Sequence, residues 1–239
     1  MTDQDLAKQA AGEAAAALVT DGMRLGLGTG STTAFAIAAL GRRVREEGLR
    51  VAGVPTSFAA ERLAREHGVP LLSMDDLGLD ALAPGVPALD VALDGADEVD
   101  PDLNLIKGRG GAHVREKIVA ALAARFVVLA DDSKRVDRLG TLMPVPVEVL
   151  PMAAAAIARS LRGLGARPVL RMARAKDGPV VTDQGLWILD ARFEGIADAG
   201  AVSLAIDVMP GVLGHGLFLG MATDVLIGRA DGSVEHVRA

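Results

Sequence analysis

Alternation constrains this chain more than any other feature. Short runs rich in Val, Leu and Ala are separated by longer segments with helical spacing of apolar residues, and most changeovers carry a glycine or a capping side chain. Residues 23–27, 49–54, 89–93 and 126–130 read as strands. Residues 32–47, 57–67 and 112–124 read as helices, with Gly48 as a stop and Ser57 as an N-cap. Strands that alternate with helices pair in parallel through crossovers. The pattern therefore predicts an α/β fold: a Rossmann-like open, mostly parallel sheet with helices on both faces.

The texture changes after Asp131. Pro144, Pro146 and Pro151 suit an extended crossing over 142–151. A helix over 152–164 follows, then strands at 168–172, 180–182 and 186–191 with turns at Asp177-Gly178 and Gln184-Gly185, and a helix over 197–206. This run predicts a small α+β, ferredoxin-like lobe over 138–209, assigned to oligomerisation. Strands at 212–219 and 224–227 return the chain to the larger domain, expected to comprise 1–137 and 210–239.

Composition removes several classes of function. Half of the 239 residues are hydrophobic but only 3% are aromatic, so the core has to be built from Ala, Val, Leu and Ile. A net charge of −6 argues against a general nucleic-acid binder, though not against a small anion held by a few lysines and backbone N–H groups. The chain has no cysteine, which excludes disulfides, zinc–thiolate sites and thiol nucleophiles. Residues 1–17 read as an amphipathic helix without signal-peptide features, and no apolar run reaches the roughly 18 residues of a membrane span. The expected address is the cytoplasm, with no membrane or nucleic-acid partner.

Ligands of open α/β sheets bind outside the carboxyl ends of the strands, and three polar loops fall there. The first, GLGTGSTT at 26–33, follows a strand and opens a helix. Its glycines allow a tight bend, the helix N-terminus adds partial positive charge, and Thr29, Ser31 and Thr32 bring hydroxyls. Together these form a cradle for phosphate, although a plain glycine turn with a hydroxyl cap has the same signature. The loop lacks both the lysine of a P-loop and the third glycine of a dinucleotide fingerprint.

The second loop, DGADEVD at 94–100, places four acids in seven residues. It is a solvated acidic turn, a metal site, or a pair of carboxylates, Asp94 and Asp97, dividing acid and base roles. The third, KGRGGAHVREK at 107–117, is a glycine nest entered by Lys107 and running into a helix that carries Glu116. Ile118, Ala121 and Leu122 read as the apolar face of that helix. On local grounds Glu116 reads as a surface acid paired with Arg115 or Lys117, and His113 as a packing or cleft-lining residue. Lys134 and Lys8 are ordinary cations taken alone, Lys134 gaining weight from its place after a strand.

The blocks GLGTGSTT, LDGADEVD, LIKGRGGAHVREKIV, ADDSKRVDRLG, PVEVLP and PGVLGHGLF occur in this order over nearly the whole chain. In this combination the sequence resembles the type A ribose-5-phosphate isomerase family. It departs at His113, where an aliphatic residue is expected, and at 184–187, where a Gly-Asn pair is common. The resemblance implies interconversion of D-ribose 5-phosphate and D-ribulose 5-phosphate in the non-oxidative pentose phosphate pathway, no metal or organic cofactor, and a homodimer or homotetramer.

The resemblance also implies roles. Glu116 becomes the general base, with Asp94, Asp97 and Lys107 at the sugar. Thr29, Gly30, Ser31 and Thr32, with Lys134 and Lys8, surround the ligand and its phosphate, and Gly95, Ala96, Gly108, Arg109 and Gly110 complete the substrate-binding set. In the expected course Asp94 assists ring opening and Glu116 moves a proton from C2 to C1. Lys107 and the nest stabilise the enediolate. Competing readings are an amino-sugar phosphate deaminase or CoA transferase of related fold, a non-catalytic sugar-phosphate sensor, and a nucleotide-binding oxidoreductase.

Overall fold

The computed structural model describes residues 1–79, 82–175 and 177–239. By internal contacts the chain forms two units: 1–95 with 115–134 and 221–239, and 96–114 with 135–220. This grouping differs from the expected division in moving 96–114, 135–137 and 210–220 to the smaller unit. A three-stranded sheet accounts for 96–114 and 217–218: Leu105–Ile106 pairs with Glu98–Val99 on one side and with Leu217–Phe218 on the other.

The larger unit is built on a six-stranded sheet in the order Val234–Arg238, Asp224–Gly228, Ala123–Asp131, Leu89–Gly95, Arg24–Leu27, Ala52–Pro55. Every neighbouring pair is parallel except the last two strands of the chain. The chain builds outward from Arg24–Leu27 to Ala52–Pro55, then returns to place Leu89–Gly95 on the other side of Arg24–Leu27. That reversal is a topological switch point, where the loops leaving adjacent strands diverge and open a crevice.

Alternation along Arg24–Leu27 separates the two faces of the sheet. Leu25 and Leu27 pack with Ala11, Ala15, Ala36, Ile37 and Leu40 of the helices Asp3–Ala17 and Ser31–Glu47. Gly26 faces the other way, toward Val119 of the helix His113–Ala121. The helices approach closely because their contacts are small: a side chain at Gly12 would strike Phe35, and one at Gly228 would strike the backbone of Ala7. Local signals behave as expected. Ser57 caps Phe58–His67 by accepting the N–H of Ala60, and Gly48 ends its helix at φ 71°.

The smaller unit holds a four-stranded antiparallel sheet, Val212–His215, Val145–Val149, Trp187–Arg192, Arg167–Leu170. One face carries the helices Ala154–Gly163 and Ala199–Asp207 over Val145, Val147, Val149, Leu189 and Ala191. Two strand expectations need correction. Residues 212–219 are two strands in different sheets, broken at Gly216, where a side chain would strike the carbonyl of Lys107 and Pro146. Residues 180–182 are not a strand: Val180 donates to the carbonyl of Arg171 and Thr182 to that of Leu186, within turns. The closing strand Val234–Arg238 was not foreseen, because its polar sequence is that of an exposed edge. Among the described residues no helix is long and apolar enough to cross a membrane.

Candidate active site

At the switch point the chain leaves Arg24–Leu27, bends through Gly28, Thr29 and Gly30, and enters the helix Ser31–Glu47. Gly30 is the N-cap at φ 122°, a conformation open to glycine, and no side chain caps this end. The leading N–H groups of a long helix thus face outward without a side-chain cap, the arrangement that binds anions. Asp94, buried at the end of the adjacent strand, shapes the bend. Its Oδ1 accepts the N–H groups of Thr29 (3.0 Å) and Gly95 (2.7 Å). A side chain at Gly28 would strike the Asp94 carboxyl group, so glycine is needed for this approach.

Hydroxyls in the bend divide their work. Thr29 Oγ1 lies 2.8 Å from Thr56 Oγ1 and 2.7 Å from Ser57 Oγ, which ties it to the loop after Ala52–Pro55. Ser31 is exposed and Thr32 half-buried. Thr33 was not singled out from sequence. Its hydroxyl is buried, lies about one van der Waals contact from the Cβ position of Gly95, and has no hydrogen-bond partner among the described residues.

Glu116 is not a surface side chain. It is only 4% exposed, whereas Ile118 is 49% exposed. The buried residues of the helix are His113, Glu116, Val119 and Ala120, with Ala112 buried just before it, and Ile118 and Ala121 face outward, which inverts the apolar face read from the sequence. Val119 marks the height of the helix on the sheet, since it packs at Gly26 and Ala92. Glu116 lies one turn toward the helix N-terminus, a rise of about 4.5 Å. Gly28 and Asp94 lie two residues beyond Gly26 and Ala92 toward the strand ends, about 6.6 Å along and on the same face. The helix runs against the strands, so Glu116, Asp94 and the bend at 28–33 share one face and one end of the sheet.

Lys134 and Lys8 belong to the same unit. Lys134 ends the turn Asp132–Lys134 at the carboxyl end of Ala123–Asp131 and is half-buried. That turn is held by Asp131, whose Oδ1 accepts both the N–H and the hydroxyl of Ser133. Lys8, half-buried, follows Ala7, which packs at Gly228 at the carboxyl end of Asp224–Gly228.

The remaining candidates lie in the smaller unit. Lys107 is 2% exposed, its backbone N–H donates to the Gly216 carbonyl, and its ammonium sits 5.4 Å from the centroid of the Phe218 ring. Asp97 Oδ2 accepts the N–H of Arg109 at 2.9 Å, so this acid braces the nest as well as facing it. Gly108 has φ 104° and Gly111 φ 79°, and Gly111 N–H donates to the Gly108 carbonyl. His113 is fully buried beneath Gly108. Ala96 leads into Asp97, and Arg109 is exposed. Glu98, not singled out before, accepts three backbone N–H groups, from Gly140, Leu142 and Met143, each within 2.7 Å.

Comparison with known proteins decides among chemistries that such a crevice could serve. Residues 52–232 match the family described as ribose 5-phosphate isomerase A (phosphoriboisomerase A). The chain belongs to the ribose 5-phosphate isomerase A family. It is 52% identical over 232 residues to ribose-5-phosphate isomerase A of Thermosynechococcus vestitus, covering 97% of this chain and 94% of that one. The solved structure of ribose 5-phosphate isomerase A from Methanocaldococcus jannaschii superposes over the full length of both chains, with a TM-score of 0.90 and 42% identity. A D-ribose-5-phosphate isomerase solved in complex with phospho-erythronic acid matches equally completely, with a TM-score of 0.91 and 42% identity.

Proposed function

We propose that Glu116 is the base through which this chain performs the reaction of its family. The chain is an aldose–ketose isomerase that interconverts D-ribose 5-phosphate and D-ribulose 5-phosphate. The observation that carries the assignment of Glu116 is its burial on the same face and end of the sheet as Asp94 and the Gly28–Thr29–Gly30 bend.

In this reading the phosphate sits on the N–H groups that open the helix Ser31–Glu47, with Ser31, Thr32, Lys134 and Lys8 around it, and the sugar extends toward Asp94. Asp94 assists opening of the ring by taking the O1 proton: the C1 carbonyl forms, the bond from C1 to the ring oxygen breaks, and the ring oxygen takes up a proton to become a hydroxyl. Glu116 then removes the C2 proton. The C–H electron pair becomes the C1–C2 double bond, and the former carbonyl pair moves to O1. Glu116 returns the proton to C1 as the O2 hydroxyl proton passes to O1 and the C2 carbonyl forms. Lys107 and the N–H groups of Gly108 and Gly110 are assigned the charge that develops on oxygen, because fixed donors aimed at developing charge account for much of such catalysis; those of Arg109 and Gly111 are engaged by Asp97 and the Gly108 carbonyl. The phosphate contributes orientation, since it binds alike in ground and transition states.

The proposed assembly is a homodimer or homotetramer. Met152, Leu204 and Val208 of the smaller unit support it, being large apolar side chains left exposed on one chain. Sedimentation of the wild type against Val208→Asp tests it: a multimer that the variant dissociates is expected, and a wild-type monomer contradicts it. A cytoplasmic address goes with a phosphorylated substrate, whose charge resists passage through lipid.

Turnover of ribose 5-phosphate by wild type and Glu116→Gln, with an amino-sugar phosphate as control substrate, tests the assignment. Loss of about 10²–10⁴ in kcat with KM little changed is expected for a missing base. Near-wild-type turnover by Glu116→Gln removes it from the role.

A further inference from the structure

The reaction as proposed needs the Gly108 and Gly110 N–H groups of the 108–111 turn for the enediolate. The smaller unit contains a device that orients the second of them. Arg171 follows the strand Arg167–Leu170, and Val169 pairs with Asp190, so Arg171 projects from the same sheet face as Asp190 and Ile188. This face is opposite the one covered by the two helices. Arg171 Nε lies 2.8 Å from Asp190 Oδ2, and Nη2 bonds the other carboxylate oxygen, a two-pronged ion pair with both side chains largely buried. The remaining guanidinium nitrogen, Nη1, donates at 3.0 Å to the Gly108 carbonyl and at 3.0 Å to the Arg109 carbonyl. Gly111 rests against Ile188 of the same face, where a side chain would press on Ile188 Cδ1 at 3.1 Å.

Peptide planarity turns these contacts into an orientation. All peptide bonds here are trans, so each carbonyl and the N–H of the following residue point in opposite directions. The 108–109 peptide is held at both ends, its carbonyl by Arg171 and its N–H by Asp97. The 109–110 peptide is held at its carbonyl by Arg171, which directs the Gly110 N–H away from the sheet. Glycines at 108, 110 and 111 leave this turn little intrinsic preference, so without the clamp its peptides can flip.

We propose that Arg171, braced by Asp190, is a positioning residue for the isomerisation: it sets the direction of the Gly110 N–H, the oxyanion-stabilising donor that its grip on the Arg109 carbonyl leaves facing away from the sheet. The inference rests on the function proposed above. A guanidinium suits the task, because its planar fork bonds a carboxylate and two carbonyls at once, which an ammonium on a flexible stem does not reproduce.

The test uses the full chain and its variants Arg171→Ala, Arg171→Lys and Asp190→Asn. Measurements are kcat and KM for ribose 5-phosphate, inhibition by phospho-erythronate and by inorganic phosphate, and melting temperature. The carboxylate of phospho-erythronate presents oxygens like those of the enediolate, whereas inorganic phosphate reports on the cradle alone. Arg171→Ala is expected to lose about 10–10² in kcat, the scale of a misplaced or lost oxyanion donor, with KM changed less than about threefold. Phospho-erythronate inhibition weakens with kcat, phosphate inhibition does not, and added guanidinium restores part of the turnover. Arg171→Lys and Asp190→Asn fall between. Wild-type kcat in folded Arg171→Ala overturns the proposal. So does a parallel loss of both inhibitors with melting temperature, which marks a merely structural role. Full turnover by Glu116→Gln would instead remove the reading on which the proposal rests.

Discussion

Gly26→Ala perturbs the site without touching substrate. A methyl group at Gly26 would lie 2.8 Å from Ala92 Cβ and closer still to Val119 Cγ1. Carbon atoms rest about 3.5–4.0 Å apart, so something has to retreat by roughly 1 Å. Gly26 and Ala92 are locked in register within a parallel ladder, which leaves the helix His113–Ala121 as the element that yields. That helix carries Glu116, and a misplacement of about 1 Å costs on the order of 10² in rate. Overpacking itself destabilises by about 1–3 kcal/mol, and each kcal/mol lowers the melting temperature of a chain this size by about 2–4 °C. Gly26→Ala should therefore lose about 10–10² in kcat, with phosphate inhibition kept, in a steady-state assay on ribose 5-phosphate. Val119→Ala removes the nearest obstruction at a stability cost of about 2 kcal/mol. The double variant should recover at least about tenfold of the lost kcat, a coupling that contacting sites show and distant ones do not. Wild-type kcat in Gly26→Ala, or a double variant no faster than the single one, refutes this account of how Glu116 is placed.

Further outcomes follow from other sites. Lys134→Ala should raise KM by more than it lowers kcat, because it weakens binding common to ground and transition states; an equal fall in kcat and kcat/KM by steady-state kinetics contradicts this. Glu98→Gln should lower the melting temperature by an amount equivalent to about 3 kcal/mol, since an amide cannot accept the three backbone N–H groups that the carboxylate holds. Asp224 is buried, which alone would raise its pKa, but hydrogen bonds from Arg125, Thr223 and His236 and the charge of Arg125 hold it at about 2. A carboxylate lowered in the folded state stabilises above its unfolded pKa near 3.8, and that stability is lost as pH falls toward 2. Acid unfolding of Asp224→Asn should thus lack a contribution of about 2 kcal/mol that the wild type loses over this window; superimposable acid profiles contradict it.

The fold was largely legible because its signals are local. Gly48, Ser57 and the run at 89–93 each mark an element by backbone conformation or periodicity alone. What escaped was set by distant partners. Residues 212–219 have one continuous strand pattern, and only the approach of Lys107 and Pro146 at Gly216 divides them between sheets. The edge strand Val234–Arg238 lacks apolar alternation, since one side of it meets no neighbour. In the site, the glycine bends and acidic loop stood out through residue type and position at strand ends. The burial of Glu116 did not, because Ile118 is the more hydrophobic neighbour and pairwise spacing pointed to the wrong face. Arg171 and Asp190 gave no sequence signal at all, being remote from the turn they hold and of kinds common on any surface.

Transfer of label from ribose 5-phosphate deuterated at C2 tests most directly whether the carboxylate at 116 carries the proton. The account predicts that the wild type shows a primary isotope effect and places part of the deuterium on C1 of ribulose 5-phosphate, while Glu116→Gln still binds phospho-erythronate yet transfers almost none. Deuterium reaching C1 at an undiminished rate in the glutamine variant would mean that another group moves the proton.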